Sequence, residues 1–149
     1  MKRVFVSLLL MLLVAGSAFA VDGLVARKSA VSVKETMDRL ETLVQTKGMK
    51  VFARIDHAKG AMTVGKTLRP TELLIFGNPQ GGTPFMECAQ TVGIDLPLKA
   101  LVWEDATSQV WLGYNDPVFL SRRHEVPTCE VARKMAQALA GIAAAVTAP

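Results

Sequence analysis

The spacing of apolar residues changes near Gly48, and this change restricts the chain to folds that combine helices with a β-sheet. Between residues 33 and 47 apolar side chains recur every three or four positions, which predicts a helix with one stripe facing the core. Gly48 ends this helix, because glycine adopts the left-handed conformation at little cost. From Met49 the apolar residues alternate with polar ones, which predicts a strand whose core-facing row ends in His57.

The first twenty residues contain the three parts of a secretory signal peptide. A basic start at Lys2 and Arg3 precedes an apolar stretch over residues 4–14, and Ala18-Phe19-Ala20 fits a cleavage site of small residues. The apolar stretch is shorter than the roughly 20 residues that span a bilayer. We therefore expect residues 1–20 to be removed and residues 21–149 to form a single periplasmic or secreted domain with no membrane attachment. An uncleaved N-terminal anchor is the alternative.

Removal of that segment changes what the composition indicates. The 149-residue chain is 50% hydrophobic with a net charge of +4. Without residues 1–20 the charge falls to +2, because Lys2 and Arg3 are lost, and the hydrophobic fraction falls to roughly 46%, which is ordinary for a soluble domain. The remaining basic residues are dispersed, so the sequence does not favour nucleic-acid binding.

Turn signals divide the rest of the chain into short elements. Residues 23–30 fit a first strand, and residues 71–76 form a nearly unbroken apolar run that is typical of a central strand covered on both faces. Residues 77–82 are expected to be loop. Thr83-Pro84 then resembles a helix start, and Gly93 ends that helix.

Two further helices follow a predicted hairpin. Asp116-Pro117 opens a short helix through His124, and Pro127-Thr128 starts the last one. In the hairpin, residues 98–104 and 109–115 are strand-like; if Glu104 pairs with Gln109, Lys99 lies opposite Tyr114 at the end of an apolar face. The order of elements predicts an α+β two-layer sandwich with one mixed or antiparallel sheet and helices packed on one face.

Cys88 and Cys129 are the two cysteines of an exported chain. A disulfide is the leading interpretation, to which the chain-entropy model assigns about 3.9 kcal/mol. Two buried thiols, or a redox role for Cys129 near a helix start, are the alternatives.

His57 and His124 are the only histidines, and a hydrogen-bonded structural role is the simplest interpretation of each. No metal site is expected, because the sequence has no H-x-x-x-H motif, cysteine cluster or acidic constellation. No cofactor is expected either, since the glycine-rich segment at residues 77–82 lacks the lysine and hydroxyl that bind nucleotide phosphates. The five methionines after residue 20 are interpreted as core packing.

Four ordered segments resemble the bacterial family known as domain of unknown function 302. The segments are Ile55-Asp56-His57-Ala58, Phe76-Gly77-Asn78-Pro79, Gly93-Ile94-Asp95-Leu96-Pro97-Leu98-Lys99, and Tyr114-Asn115-Asp116-Pro117 with His124. The resemblance covers the chain from Gly23 to about His124. It implies a compact α+β domain, often dimeric, with no established activity.

The resemblance also groups polar residues at the ends of predicted strands. We expect a small-molecule pocket with apolar walls and a polar tip, lined by His57, Asn78, Lys99, Tyr114 and His124. The lysine would hold an anionic group of the ligand. Binding or sensing of a small molecule is therefore the leading hypothesis. The alternatives are a structural or homodimerisation domain, and a cofactor-free enzyme that uses a histidine as acid–base with Lys99 or Tyr114 as electrophile.

Overall fold

The computed structural model of the protein describes residues 21–149, so the signal peptide predicted at residues 1–20 lies outside the described part. Within that part, strands and helices alternate at first, and two consecutive strands then precede a final pair of helices. The strands are β1 (Leu24–Ser29), β2 (Lys50–Asp56), β3 (Thr71–Gly77), β4 (Leu98–Glu104) and β5 (Val110–Asn115); the helices are α1 (Val33–Thr46), α2 (His57–Met62), α3 (Pro79–Cys88), α4 (Pro117–Arg123) and α5 (Glu130–Thr147), with a 3-10 helix over Gln90–Ile94.

The strands form one antiparallel sheet in the order β1-β5-β4-β3-β2. Strands β2, β3, β4 and β5 lie side by side in chain order, and β1 forms the other edge of the sheet by pairing with β5. The long helices α1 and α5 both pack on the same face of this sheet. The predicted α+β architecture, with helices on one face, is therefore confirmed.

The face that the helices cover carries the main core. Leu74 and Phe76 of β3 are fully buried there, and α1 contributes the predicted stripe from Val33 to Val44. Ser32 starts α1 as its N-cap, since its hydroxyl accepts a hydrogen bond from the Glu35 backbone N–H at 3.2 Å. Burial of this stripe, more than helix propensity, holds α1 in place.

The opposite face of the sheet, here called the open face, is also apolar. The Trp103 indole lies over Gly113, where a Cβ would come within 2.9 Å of the ring. Trp111 stacks beside Trp103 with ring centroids 6.4 Å apart. The open-face residues are half-buried or exposed, apart from Gly113. They are Leu24, Ala26 and Lys28 of β1, Ala53 and Ile55 of β2, Thr71, Leu73 and Ile75 of β3, Lys99, Leu101 and Trp103 of β4, and Trp111, Gly113 and Asn115 of β5.

The predicted hairpin register is wrong by one residue. Glu104 pairs with Val110, and Ala100 rather than Lys99 lies opposite Tyr114. Residues 105–109 therefore form the connection, in which Asp105 accepts hydrogen bonds from the backbone N–H groups of Thr107 and Gln109. A shift of one residue moves side chains to the other face. Lys99 thus lies on the open face, and Tyr114 lies on the covered face.

The predicted row of β2 is wrong beyond Val51, because a bulge shifts the register between Val51 and Ala53. Arg54 consequently lies on the covered face and Ile55 on the open face. His57 does not end a core-facing row: it is exposed and begins α2, for which Asp56 is the N-cap.

The predicted start of α3 is also wrong. The helix begins at Pro79, because Asn78 caps it by accepting a hydrogen bond from the Gly81 backbone N–H at 2.8 Å. The glycine-rich segment expected to be loop is therefore the first turn of α3, and Pro84 lies inside the helix. The last helix begins at Glu130, two residues after Thr128.

Cys88 and Cys129 form a disulfide, as predicted, with their Cα atoms 6.2 Å apart. Cys88 is the last residue of α3, and Cys129 is the N-cap of α5. The crosslink therefore joins the two helices at their adjoining ends.

Candidate functional site

A cavity of about 490 Å³ opens between α3, α5 and the segment that leads into β4. Its size falls in the range of small-molecule sites. Its side chains are mainly aliphatic, aromatic or thioether groups. The lining residues are Met49, Phe52, Gly77, Asn78, Pro79, Gly81, Gly82, Thr83, Met86, Gly93, Leu96, Pro97, Leu98, Met135, Ala138, Leu139 and Ile142.

Glycines keep the α3 wall of the cavity close to its neighbours. A Cβ on Gly82 would lie 3.5 Å from Leu96 Cδ1, and one on Gly81 would lie 3.3 Å from Asn78 Oδ1. Side chains at these positions would take up space on the cavity wall. The glycine-rich stretch therefore shapes an apolar cavity, although the sequence of residues 77–82 is typical of a simple turn.

Asn78 is the one residue of the predicted pocket that lines this cavity. Its side-chain oxygen accepts the capping hydrogen bond from Gly81, which fixes the orientation of the amide. The amide NH₂ carries two further donors. A polar atom of a ligand in the cavity could accept a hydrogen bond from it.

A second group of polar residues surrounds Asp95, which follows the 3-10 helix. The Asp95 carboxylate accepts hydrogen bonds from His124 Nε2 at 2.6 Å and from Arg123 at 3.0 Å. The Lys99 ammonium donates to the backbone oxygens of Asp95 and Pro97, at 3.1 and 3.0 Å. Asp95 thus ties the loop before β4 to the end of α4.

The imidazole of His124 connects Asp95 to Thr91. With Nε2 donating to the carboxylate, Nδ1 of neutral His124 accepts a hydrogen bond from the Thr91 hydroxyl at 3.0 Å. The His124 and Asp95 side chains are 8% and 11% exposed, while Thr91 is exposed. In this order the carboxylate orients the imidazole, and the imidazole can polarise the Thr91 hydroxyl.

The structure therefore brings together only part of the predicted pocket. Lys99 and His124 meet at Asp95, whereas Asn78 lines the cavity. Tyr114 is buried in the core, and that burial is the main cause of a raised pKa for its phenol. His57 lies on α2, and neither His57 nor Tyr114 lines the cavity.

Sequence reasoning missed Asp95 and the three methionines of the cavity. Asp95 stands inside the segment 93–99 that carries the family resemblance, and this was the available signal for it. Met49, Met86 and Met135 were interpreted as packing, yet all three line the cavity. Methionine suits such a wall, because its flexible thioether adapts to different apolar shapes.

Within residues 21–149, no group of three or more histidine, cysteine, aspartate or glutamate side chains is arranged to hold a metal ion. None of the helices in the same part of the chain has the length and hydropathy needed to cross a bilayer.

An antiparallel sheet of this strand order, with two long helices on one face and an apolar cavity beside them, defines a two-layer α+β domain. The sequence profile described as "Domain of unknown function DUF302" matches residues 25–142, so the chain belongs to this family. A crystal structure of an uncharacterized conserved DUF302 protein from Bacillus stearothermophilus is similar, with a TM-score of 0.74 over 83% of this chain and 97% of that chain. At 22% identity, this similarity shows the shared fold.

Curated relatives are longer proteins. The chain is 50% identical over 105 residues to proteins named "Fluoride-specific ion channel FluC 1" from Brucella suis biovar 1 (strain 1330) and Brucella abortus biovar 1 (strain 9-941). The match covers 70% of this chain but 41% and 39% of those relatives. The chain therefore spans about two fifths of their length.

Proposed function

We propose that this protein binds a small, largely apolar molecule in the cavity between α3 and α5. The observation that carries the proposal is the cavity itself, with its volume of about 490 Å³ and its wall of methionine, leucine and isoleucine side chains. Asn78 would fix the orientation of the ligand through its side-chain amide. Export to the periplasm or outside the cell is part of this proposal and rests on the pattern of residues 1–20.

The proposed ligand differs from the anionic molecule expected from the sequence. Lys99 does not line the cavity, and its ammonium donates to two backbone oxygens of its own chain. The named activity of the fluoride channels is not proposed for this chain either. Fluoride is a small, strongly hydrated anion, which an apolar wall does not suit.

Native mass spectrometry of the full chain, purified from its own host, provides the direct test. We expect a fraction of the folded protein to carry an added mass that denaturing conditions release. The released compound should partition into organic solvent. A folded protein that also fails to bind the neutral probe N-phenyl-1-naphthylamine would contradict the proposal.

A matched pair of variants on α5 locates the binding. Ala138 lines the cavity, whereas Ala140 is exposed on the same helix and does not. Ala138→Phe should fill part of the cavity and weaken probe binding at least tenfold, or about 1.4 kcal/mol. Ala140→Phe should leave it unchanged. Equal affinities in the two variants would place the probe elsewhere.

The role of Asn78 can be separated from its role as a helix cap. Asn78→Asp keeps an oxygen that caps α3 but removes the amide donor. We expect this variant to remain folded and to bind a ligand with a hydrogen-bond acceptor several-fold more weakly, while affinity for a purely apolar probe changes less. The same loss for both ligands would exclude the hydrogen bond.

A second candidate, hydrolysis of an activated ester, is favoured by the hydrogen-bonded order Thr91, His124, Asp95. The enzyme predicted from the sequence, with Lys99 or Tyr114 as electrophile, lacks this support, because the Lys99 ammonium donates to two backbone oxygens and Tyr114 is buried in the core. Turnover of p-nitrophenyl acetate that Thr91→Val abolishes would support hydrolysis. Turnover no faster than that of free imidazole would exclude it.

A further inference from the structure

The connection between β2 and β3, residues 57–70, lies outside the cavity and is exposed over most of its length. It is here called the α2 segment, because it begins with helix α2. Every residue from Met62 to Pro70 is exposed. Three of them are large and apolar, with exposures of 71% for Met62, 72% for Val64 and 53% for Leu68. Single exposed apolar side chains are ordinary, whereas a group of them within one short segment indicates a contact surface.

Hydrogen bonds fix the turn that carries Met62 and Val64. The Gly65 backbone N–H donates to the Met62 oxygen at 3.1 Å, and the Lys66 N–H donates to the Ala61 oxygen at 2.9 Å. Gly65 has a φ of 69°, so the two bonds form the Schellman motif that ends many helices. The exposure of Met62 and Val64 therefore belongs to an ordered turn.

The α2 segment carries only positive charge at neutral pH. Its charged residues are Lys59, Lys66 and Arg69, and it contains no aspartate or glutamate. The carboxylates that flank it are already bonded: Asp56 accepts from the Lys59 backbone N–H at 2.8 Å, and Glu72 binds a β2 guanidinium at 2.6 Å. Within residues 21–149, neither Lys66 nor Arg69 forms an ion pair. Two cations thus remain available to an anionic partner.

We propose that the α2 segment docks on an anionic phospholipid surface. Apolar and cationic side chains are interleaved along it, as in Val64, Lys66 and Leu68. A partner therefore has to offer negative charge and an apolar environment close together. The interface of an anionic bilayer does so, because its phosphates lie directly above the acyl chains. A lysine can extend its ammonium to a phosphate while its apolar neighbours enter more deeply.

This docking is independent of the proposed ligand binding. The α2 segment joins the end of β2 to the start of β3, where Asp56 pairs with Glu72. The cavity residues Met49 and Gly77 lie at the opposite end of the same two strands. Either proposal can therefore fail while the other stands. The docking differs from the expectation, based on residues 1–20, that the exported domain has no membrane attachment.

Hydrogen-exchange mass spectrometry of the full chain, purified from its own host, locates the contact. We expect phosphatidylglycerol vesicles to slow amide exchange several-fold in the α2 segment, whereas phosphatidylcholine vesicles should not. Equal protection by the two lipids would overturn the proposal. Protection found only in other parts of the chain would overturn it as well.

A pair of double variants tests the role of charge. Lys66→Ala with Arg69→Ala should weaken co-sedimentation with phosphatidylglycerol vesicles roughly tenfold or more, because each cation near an anionic surface contributes to binding. Arg133→Ala with Lys134→Ala removes the same charge from exposed positions of α5 and should leave binding nearly unchanged. Equal losses in the two double variants would assign binding to net charge and overturn the docking of this segment.

Leu68→Gln tests the apolar contribution at constant charge. We expect it to bind phosphatidylglycerol vesicles several-fold more weakly, with unchanged far-ultraviolet circular dichroism. Ile94→Gln, at a residue 75% exposed outside the α2 segment, should bind as the parent does. Parent-like binding by Leu68→Gln would overturn the proposed insertion. A protein that ignores the vesicles but binds polyglutamate through Lys66 and Arg69 would overturn the proposal in favour of an acidic protein partner.

Discussion

The two faces of the sheet have similar side chains but different surroundings. Leu74 and Leu73 are neighbours on β3, yet Leu74 is fully buried beneath the helices while Leu73 is half-buried on the open face. The apolar residues of a strand indicate how many of its faces need to be covered. They do not indicate whether the cover comes from the same chain. Measurements that separate the two faces therefore test how much the helix cover adds to the stability of the fold.

The largest difference is expected for a pair of truncations on β3. Leu74→Ala should lower the free energy of unfolding by about 3 kcal/mol, because it leaves a cavity in a closed core. Leu73→Ala should cost about 1 kcal/mol in dilute protein, since its side chain is already partly in water. Urea unfolding measures both. Equal costs for the two truncations would remove the distinction between the two faces.

The next largest effect concerns a charge on the covered face. Arg54 lies there because of the β2 bulge, and it bonds to Asp38, Glu41 and Glu72 at 2.6–3.1 Å. These carboxylates raise the pKa of the guanidinium. Arg54→Met should cost about 2 kcal/mol near neutral pH, because three carboxylates lose their shared cation.

The exposed Arg133 of α5 provides the control for this substitution. Arg133→Met should change stability by less than about 0.5 kcal/mol. Hydrogen bonds from Lys34 and from Arg54 lower the pKa of the Asp38 carboxyl, so part of the cost of Arg54→Met should be lost as the pH falls below the ordinary aspartate value of about 4. A cost that is independent of pH would assign the effect to packing rather than charge.

A substitution at Gly113 tests the packing on the open face. Gly113→Ala would place a methyl group 2.9 Å from the Trp103 ring, so the indole must rise from the sheet. We expect a loss of about 1–2 kcal/mol and a change in tryptophan emission. Gly60→Ala on α2, where nothing lies within 4 Å of the new methyl group, should be neutral or slightly stabilising. Unchanged emission in Gly113→Ala would contradict the placement of the Trp103 indole over Gly113.

The smallest effect is expected at Asp105, in the hairpin connection. Hydrogen bonds from the Thr107 hydroxyl and the Trp111 indole, together with two backbone N–H groups, lower the pKa of this carboxyl. Its ionised form therefore adds stability above its ordinary pKa of about 4, and this contribution is lost as the pH falls below that value.

Melting temperatures between pH 7 and pH 2 test this linkage. Asp105→Asn should melt at a lower temperature than the parent protein at pH 7, and the difference should start to shrink as the pH falls below about 4. The exposed Asp22 lies outside this hydrogen-bond network, so Asp22→Asn should follow the parent. A difference that persists unchanged at pH 2 would show that ionisation of Asp105 does not contribute.

Local sequence patterns predicted the helices and strands better than they predicted how the strands pair. The stripe of α1 is fixed by residues close in the chain, and its prediction is confirmed. The β2 bulge and the hairpin register depend on how strands pair across the sheet. Each shifts the chain by one residue, and such a shift reverses the face of every side chain beyond it. That is why Lys99 and Tyr114 were placed together in error.

The candidate site was predicted least well. Asn78 was identified as a cavity residue because it follows a central strand, and the family segments contained Asp95 and His124. The cavity wall consists mainly of methionine, leucine and glycine, whose sequence pattern matches that of an ordinary core. Only the three-dimensional placement of α3 against α5 separates lining residues from packing residues.

The position of β1 has a consequence for synthesis of the chain. β1 and α1 are made before the rest of the described chain, yet β1 pairs with β5, which is the last of the described strands to be made. Until β5 emerges, β1 has no partner within the described sheet, and an unpaired strand can pair with other chains. Adjacent Arg27 and Lys28 place positive charges on β1 while it is unpaired. Charge of this kind opposes strand-to-strand aggregation, so Arg27 and Lys28 would protect the incomplete chain until β1 pairs with β5.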